Sequence, residues 1–431
     1  MSHTITPPGD HARAGKPGVS ERGTLAILGF PTFGLALSIT MVSTYLPKVA
    51  RQFTASTTVI GVIVGAEGLM ALWVPLVAGT WSDGVRSRLG GRLPFVLAGV
   101  PVVVGGLVLM AFVQSLAALA LAAGVFFVGY FVAYGPYRAL YPDLVEDQVT
   151  GRAQSIQALW RGAGTGIALV GGGVLLSIGR PVPFLFAATI LLLVVGAFAA
   201  LLVRGELFRA PSTSVHGIRR TVRELGRMLA SEPRLRSFLV ANALWELSLA
   251  ALKTFVVLYI TEGLGNSLST ASLIIGAGAV FVLISAGLSG KLADRFGKPR
   301  VMFVALVIYA PGLLLPFLSH LPVLLAAILP VVAMGGGVVM TLPYAVLIPM
   351  MPEGQHGALT GLFSLTRGLG TVLGPLVAGI AIQVLRPPFS STHGYQAMWL
   401  VCSAAIVLSI PFSRHLLQQP PASGTTQSRG G

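Results

Sequence analysis

Twelve long apolar runs, each close to the length needed to cross a lipid bilayer, dominate this sequence. A membrane-spanning helix needs about 20 mostly apolar residues. Only 10% of the residues are charged, whereas soluble domains carry about 25%. Backbone polar groups in lipid must bond within their own segment, so each run is predicted to be a helix. The runs lie at 25–47, 57–81, 94–115, 117–141, 153–178, 182–203, 237–261, 269–290, 300–319, 321–348, 357–384 and 395–413.

The formal net charge of +15 raises the question of a nucleic-acid partner, and the placement of the charges answers it. Most of the 29 Lys and Arg residues fall in the tails and in alternate loops, on one side of the membrane. The opposite loops hold only Lys48, Arg51, Arg180 and Arg386. This positive-inside bias predicts a multi-pass protein of the plasma or inner membrane with both termini in the cytoplasm. The basic charge orients the chain in the lipid bilayer and requires no nucleic acid.

The longest polar stretch between runs divides them six and six. The predicted organisation is a disordered cytoplasmic N-tail (1–23), an N-terminal six-helix bundle (24–203), a cytoplasmic linker (204–236), a C-terminal six-helix bundle (237–416) and a disordered C-tail (417–431). Apolar residues recur at helical spacing within the linker, opposite several arginines. That pattern predicts an amphipathic helix on the inner membrane surface; the alternative is a solvated linker helix.

The two halves repeat each other. The G-x-x-x-D pattern at 79–83 recurs at 290–294, and the segment 136–165 recurs, with one deletion, at 343–371. Because of this second repeat, both halves have a tyrosine and an intramembrane arginine at equivalent positions. Two parallel six-helix repeats imply a pseudo-two-fold axis along the membrane normal and a binding site near the midplane between them.

These features resemble the major facilitator superfamily over nearly the whole chain. The stretch P-L-V-A-G-T-W-S-D-G-V-R-S-R-L-G-G-R-L-P-F (75–95), followed by G-P-Y-R-A-L-Y-P-D-L (135–144), is similar to the glycoside–cation and sucrose–proton symporter branch. The resemblance implies a secondary transporter of a small solute. Sodium-coupled members carry acidic residues where this chain has Ala71 and Pro75, so a proton is the expected coupling ion.

The charged stretch 79–95 is expected to form a cytoplasmic hinge between spans 2 and 3, and the resemblance implies that it closes the cytoplasmic side. The repeat gives the second half an equivalent stretch. The alternative is a plain positive-inside loop. The expected gating residues are Gly79, Asp83, Arg86, Arg88, Arg92, Gly290, Asp294 and Arg295.

Charged residues inside spans are costly and are read as functional, with helix–helix pairing as the alternative. Span 4 carries tyrosines and Arg138 on one helical face, suited to a sugar ring; the resemblance assigns Arg138 to transport and Asp143 as its acidic partner. Span 7 carries Glu246 near midplane, where a carboxyl group can exchange a proton; a static bridge to Lys253 is the alternative. The expected substrate and coupling residues are Glu67, Tyr130, Tyr134, Tyr137, Arg138, Asp143, Arg161, Asn242, Glu246, Lys253, Tyr344 and Arg367.

The sequence thus predicts an all-α protein that acts as a proton-coupled transporter of a sugar-like or glycoside-like solute by alternating access. A drug or metabolite exporter is the alternative within transport, and a non-transporting membrane sensor or scaffold is the alternative outside it. Scattered histidines and a single cysteine, Cys402, give no metal or catalytic constellation. No enzyme activity, cofactor or metal is expected, and the chain is expected to be a monomer.

Overall fold

A computed structural model describes residues 29–85, 92–144, 150–205, 232–319, 321–350 and 356–417. Within these ranges there are 12 helices long and apolar enough to cross a membrane, and the all-α prediction is confirmed. The helices are α1 Pro31–Ala50, α2 Thr57–Gly84, α3 Leu93–Phe112, α4 Leu116–Leu144, α5 Thr150–Ile178, α6 Pro181–Gly205, α7 Pro233–Leu258, α8 Leu268–Phe296, α9 Lys298–Leu318, α10 Pro322–Leu347, α11 His356–Val384 and α12 Ala397–Leu417. The predicted tails and amphipathic linker helix fall almost entirely outside the described residues.

Local sequence explains where several helices begin and turn. The Ser56 side chain accepts a hydrogen bond from the backbone N–H of Val59 and so caps α2. Ser267 caps α8 in the same way. Between α8 and α9 the backbone reverses at Gly297, whose φ of 90° is a conformation that favours glycine.

The expected hinge at 79–95 begins later than predicted. Gly79 and Asp83 lie inside α2, which continues to Gly84, and Gly290 and Asp294 lie inside α8. A glycine can continue a helix that lies in lipid, because the backbone groups must stay paired there. The repeated G-x-x-x-D pattern therefore marks the last turns of two helices and not a turn between them.

The end of α7 is wound differently from the rest of the helix. Residues Tyr259–Gly263 form a π-helical turn, closed by a hydrogen bond of 2.9 Å from the N–H of Leu264 to the carbonyl oxygen of Tyr259. A π-turn holds one residue more than an α-turn, and such turns are frequent at functional sites. This turn carries Glu262.

The halves α1–α6 and α7–α12 meet along three helix pairs, α2 with α11, α5 with α8, and α1 with α7. Exchanging the halves converts the first pair into the second, as a pseudo-two-fold axis requires. Glycines allow the close approach, since a Cβ added at Gly68 of α2 would lie 2.7 Å from the carbonyl oxygen of Gly368 in α11. A Cβ added at Gly173 of α5 would likewise collide with Ser272 of α8.

The alternating helices give the bundle two ends. We call the end where α1 finishes and α2 begins the Glu262 end, because the last turn of α7 is also there. The opposite end, where α2 and α8 finish, is the Asp294 end.

Candidate transport site

A four-residue cluster joins the halves at the Glu262 end. The Glu262 carboxylate accepts hydrogen bonds from Lys48 Nζ at 3.0 Å, from Arg51 Nε at 2.9 Å and from the Tyr395 hydroxyl at 3.0 Å. Lys48 and Arg51 belong to the first half, and Glu262 and Tyr395 to the second. Burial, reinforced by the negative charge of Glu262, raises the pKa of the Tyr395 hydroxyl, which therefore stays a proton donor. We call these four residues the Glu262 clamp.

Further bonds close the same end. The Ser56 hydroxyl donates to Gln383 Oε1 at 2.8 Å, and the Thr57 hydroxyl donates to the carbonyl oxygen of Gly379 at 2.7 Å. Deeper in the bundle, the hydroxyls of Tyr45 and Ser272 are 2.9 Å apart. Each of these bonds links the first half to the second.

An ion pair crosses between the halves deeper still. Lys253 Nζ lies 3.5 Å from Glu67 Oε1, and the Ser43 hydroxyl donates to Glu67 Oε2 at 2.6 Å. Glu67 and Lys253 each lie about 15 Å along their helices from the Glu262 end, at 1.5 Å per residue. The sequence suggested a bridge from Lys253 to Glu246 as one alternative; the structure instead pairs Lys253 with Glu67.

A second ion pair lies about 10 Å closer to the Asp294 end, by the same helical rise. Arg367 Nε is 3.2 Å from Glu246 Oε1, within the second half. The Arg367 side chain is 62% exposed and that of Glu246 17%. Asn242, expected on the same face as Glu246, is fully buried and donates to the Thr366 hydroxyl at 2.9 Å. It therefore joins α7 to α11 and does not face the space beside Arg367.

Two stacked tyrosines of α4 stand opposite these pairs. The Tyr130 and Tyr134 rings are 5.3 Å apart and nearly parallel, and the Arg138 guanidinium lies 5.7 Å from the centre of the Tyr134 ring. Two of the tyrosines depart from the predicted cavity face: Tyr130 is 6% exposed and packs behind Tyr134, and Tyr137 is 1% exposed, with its hydroxyl 2.9 Å from the Thr32 hydroxyl. We call Tyr130, Tyr134 and Arg138 the tyrosine wall.

The two halves face a common cavity. Arg161 from α5 and Arg367 from α11 both lie close enough to Tyr134 to interact with it electrostatically, as does Arg138. All three arginines are nevertheless exposed. Exposed cations that surround one tyrosine from both halves must line a water-accessible space between those halves.

The remaining predicted residues lie toward the Asp294 end. Asp294 and Arg295 are exposed in the last turn of α8, where the Arg295 guanidinium lies 5.2 Å from the centre of the Phe296 ring. Arg92 immediately precedes α3, and Tyr344 of α10 is half-exposed, with its ring 5.4 Å from that of Phe363. The expected residues Arg86 and Arg88, and the side chains of Asp83 and Asp143, are outside the described part of the chain. The gating role of this end stays a prediction.

Sequence reasoning missed Glu262. Its signal was an acidic residue at the end of a span, on the side where the sequence otherwise places only a few cations, two of them Lys48 and Arg51. A carboxylate and two cations at matching ends of repeat-related spans indicate a contact between halves, provided that α1 and α7 are known to be neighbours.

Twelve spanning helices in two repeats, with a charged cavity between them, define a membrane transporter. The model of the Major Facilitator Superfamily matches residues 28–257 and 239–431, and the chain belongs to that family. It is an integral membrane protein of this transporter family and not an enzyme.

Curated relatives match over part of their length. Multidrug resistance protein MdtG of Klebsiella pneumoniae is 22% identical over 212 residues, covering 48% of this chain and 50% of the relative. MdtG of Escherichia fergusonii is 25% identical over 246 residues, covering 56% of each. The chain thus spans about half the length of the curated relatives that it matches.

Solved structures match along nearly the whole chain. A bacterial homologue of the human lysosomal transporter Spinster, in an inward-facing and occupied conformation, has a TM-score of 0.76 and 16% identity, with 93% of this chain and 98% of that one covered. The nucleoside transporter NupG has a TM-score of 0.72 and 16% identity, with 92% of this chain and 98% of that one covered. At such low identity these likenesses support the fold alone.

Proposed function

We propose that this protein is a proton-coupled secondary active transporter that moves a small organic solute by alternating access. The observation that carries the proposal is the ion pair between Glu67 and Lys253, because it joins the two halves in the middle of the bundle. Alternating access requires the halves to rock about a central site. A titratable carboxylate that bridges the halves links that motion to proton binding.

The positive-inside bias supports the orientation. It supports a cytoplasmic location for the Asp294 end and for both termini. The bonds between halves described above lie at the Glu262 end or at the level of Glu67, whereas Arg138, Arg161 and Arg367 are exposed toward the other end. We therefore assign the described conformation as inward-open.

Glu67 is our first candidate for the coupling carboxylate, ahead of Glu246, the residue that the sequence suggested for proton exchange. A proton on Glu67 removes its charge and with it the attraction to Lys253, which destabilises the inward-open state relative to the outward-open one. The pair between Glu246 and Arg367 lies within one half. Neutralising Glu246 changes the charge of the cavity without directly releasing one half from the other.

For the solute, the stacked tyrosines support a molecule with a ring, as the expected sugar or glycoside has. The relatives named multidrug resistance proteins support the second candidate, an exporter of drugs or metabolites. The direction of transport separates the two. In proteoliposomes of defined orientation, an importer accumulates solute when protons flow toward the Asp294 end, and a proton-driven exporter moves solute against the proton flow.

Proton coupling can be tested without knowing the solute. Spin labels on Ser56→Cys and Gln383→Cys report the opening of the Glu262 end, and Cys402, the only native cysteine of the sequence, is buried. Acidification should lengthen the distance between the labels in the otherwise native protein and in Glu246→Gln. Acidification should have little effect in Glu67→Gln, because the side chain at position 67 is already neutral in that variant. A native protein insensitive to pH, or a Glu67→Gln variant that keeps the full response, contradicts the proposal.

A further inference from the structure

The cavity holds more positive than negative charge. Four cationic side chains and two carboxylates face it, at the tyrosine wall and across from it. The cationic residues are Arg138, Arg161, Lys253 and Arg367, and the carboxylates are Glu67 and Glu246. Of the other acidic residues of the sequence, Glu262 is held in the clamp, and the rest lie at or next to helix ends or outside the described part of the chain.

The ion pairs show which cations are left over. Lys253 pairs with Glu67, and Arg367 pairs with Glu246. Arg138 lies over the Tyr134 ring, and Arg161 lies near the same ring. Among the residues whose side chains the structure describes, neither of these two arginines forms an ion pair with a carboxylate.

Two guanidinium groups that have no carboxylate partner among the described side chains are costly to keep inside a membrane-embedded bundle. A guanidinium stays charged at any physiological pH, so it cannot escape this cost by releasing its proton. Its planar array of donors matches the two oxygens of a carboxylate or the oxygens of a phosphate. Arg138 and Arg161 lie beside Tyr134, the half-buried tyrosine of the wall, where a ring-bearing solute would lie.

We infer that the transported solute is an organic anion that carries a ring, and not a neutral sugar or a lipophilic cation. Its anionic group binds Arg138 and Arg161, and its ring lies against Tyr134, which the buried Tyr130 supports from behind. A cationic solute is disfavoured because it would add positive charge to a cavity that already has an excess. This inference rests on the proposed transport function and specifies its substrate class.

Equilibrium binding of matched ligands tests the charge preference. The first series is naphthoate, naphthamide and naphthylmethylammonium, which share one ring system and differ in charge. The second is phenyl glucuronide and phenyl glucoside, which share a sugar ring and differ by one carboxylate. Binding is measured on purified protein in lipid nanodiscs by the shift in melting temperature and by titration. We expect the anion of each series to bind about tenfold more tightly, or better, than its neutral partner, as one charge-assisted hydrogen bond allows.

Variants assign the preference to the two arginines. Arg138→Gln and Arg161→Gln should each weaken anion binding about tenfold and leave binding of the neutral ligand within about twofold. Arg180→Gln is the matched control, since Arg180 donates to the carbonyl oxygen of Ala111 and lies by Phe53, away from the cavity. It should bind all ligands as the native protein does.

Three results overturn the inference. They are equal or tighter binding of the neutral or cationic ligands, no binding of either anion, and anion binding that survives both Gln substitutions. If an Arg→Gln variant fails to fold, Arg138→Lys and Arg161→Lys replace it; retained charge without the planar fork should keep part of the preference. Binding is measured without a proton gradient, so its outcome is independent of the spin-label test of proton coupling.

Discussion

At the scale of single residues, the role of a charged side chain inside the bundle depends on which half of the protein carries its partner. Glu67 and Lys253 sit in different halves, so their ion pair exists only in conformations that keep α2 and α7 at matching depth. Glu246 and Arg367 share a half and can stay paired through a rigid rocking motion. The same residue types therefore serve different purposes according to the helix that carries each partner.

Lys253→Met should destabilise the protein because it leaves the Glu67 carboxylate, which is only 15% exposed, without its cation. Lys253 is itself 42% exposed, so solvent screening limits the loss to on the order of 1 kcal/mol. The double variant Glu67→Gln/Lys253→Met should regain most of that loss. Melting temperatures of the two single variants and the double variant give the coupling energy. Additive losses would show that the pair contributes nothing in the folded state.

At the scale of helices, backbone proximity decides how the halves meet. Gly68 brings α2 against the backbone of α11 at Gly368, with no room for a side chain. The seam lies within a few residues of Glu67, so any change in helix spacing there alters the geometry of the ion pair. Close packing of small residues also replaces the hydrophobic driving force that is absent between helices in lipid.

Gly68→Val should force α2 and α11 apart and cost about 1–3 kcal/mol, the usual range for overpacking. The expected readouts are a lower melting temperature and loss of the pH response of the labels at 56 and 383. Gly196→Val in α6 is the control, because a Cβ at Gly196 meets nothing within 4 Å. Equal tolerance of both substitutions would mean that the seam between the halves is not tightly packed.

At the scale of the whole molecule, the clamp and the cavity occupy opposite positions along the path of the solute. The Glu262 clamp closes one end while the cavity remains accessible toward the other. Under the proposed alternating access, the clamp must open when the Asp294 end closes. The strength of the clamp sets how the population divides between the inward-open and the outward-open conformation.

Glu262→Gln should raise the outward-open population about tenfold, because it removes the ion pairs of Glu262 with Lys48 and Arg51. The three side chains are between 21% and 27% exposed, so solvent screens these ion pairs only in part. Tyr395→Phe removes one neutral donor and should have a smaller effect. Distances between the labels at 56 and 383 measure both changes. A clamp that contributes to closure must also weaken as ionic strength rises. If neither variant lengthens the distance, closure depends on the surrounding hydroxyl bonds and packing.

Much of this architecture can be predicted from sequence, and specific parts cannot. The spans are predictable because lipid forces every apolar run to pair its backbone internally, and Glu67 could be placed at mid-depth by counting residues from the start of α2. The partner of Glu67 could not be predicted, because the pairing of side chains depends on how α2 and α7 are rotated about their axes. Tyr137 shares a helical face with Tyr134 in sequence, yet a contact with Thr32 buries it. Such contacts depend on neighbouring helices that sequence spacing does not specify.

The π-turn at Tyr259–Gly263 has a consequence for how this clamp can change in evolution. A π-turn accommodates one residue beyond the α-helical repeat, and each residue added or removed rotates the following side chain by about 100°. Deleting one codon that precedes Glu262 within the turn would restore an α-helix and swing the carboxylate of Glu262 away from Lys48 and Arg51. A length polymorphism of one residue could thus break the ion pairs between the halves while every charged residue of the clamp is kept.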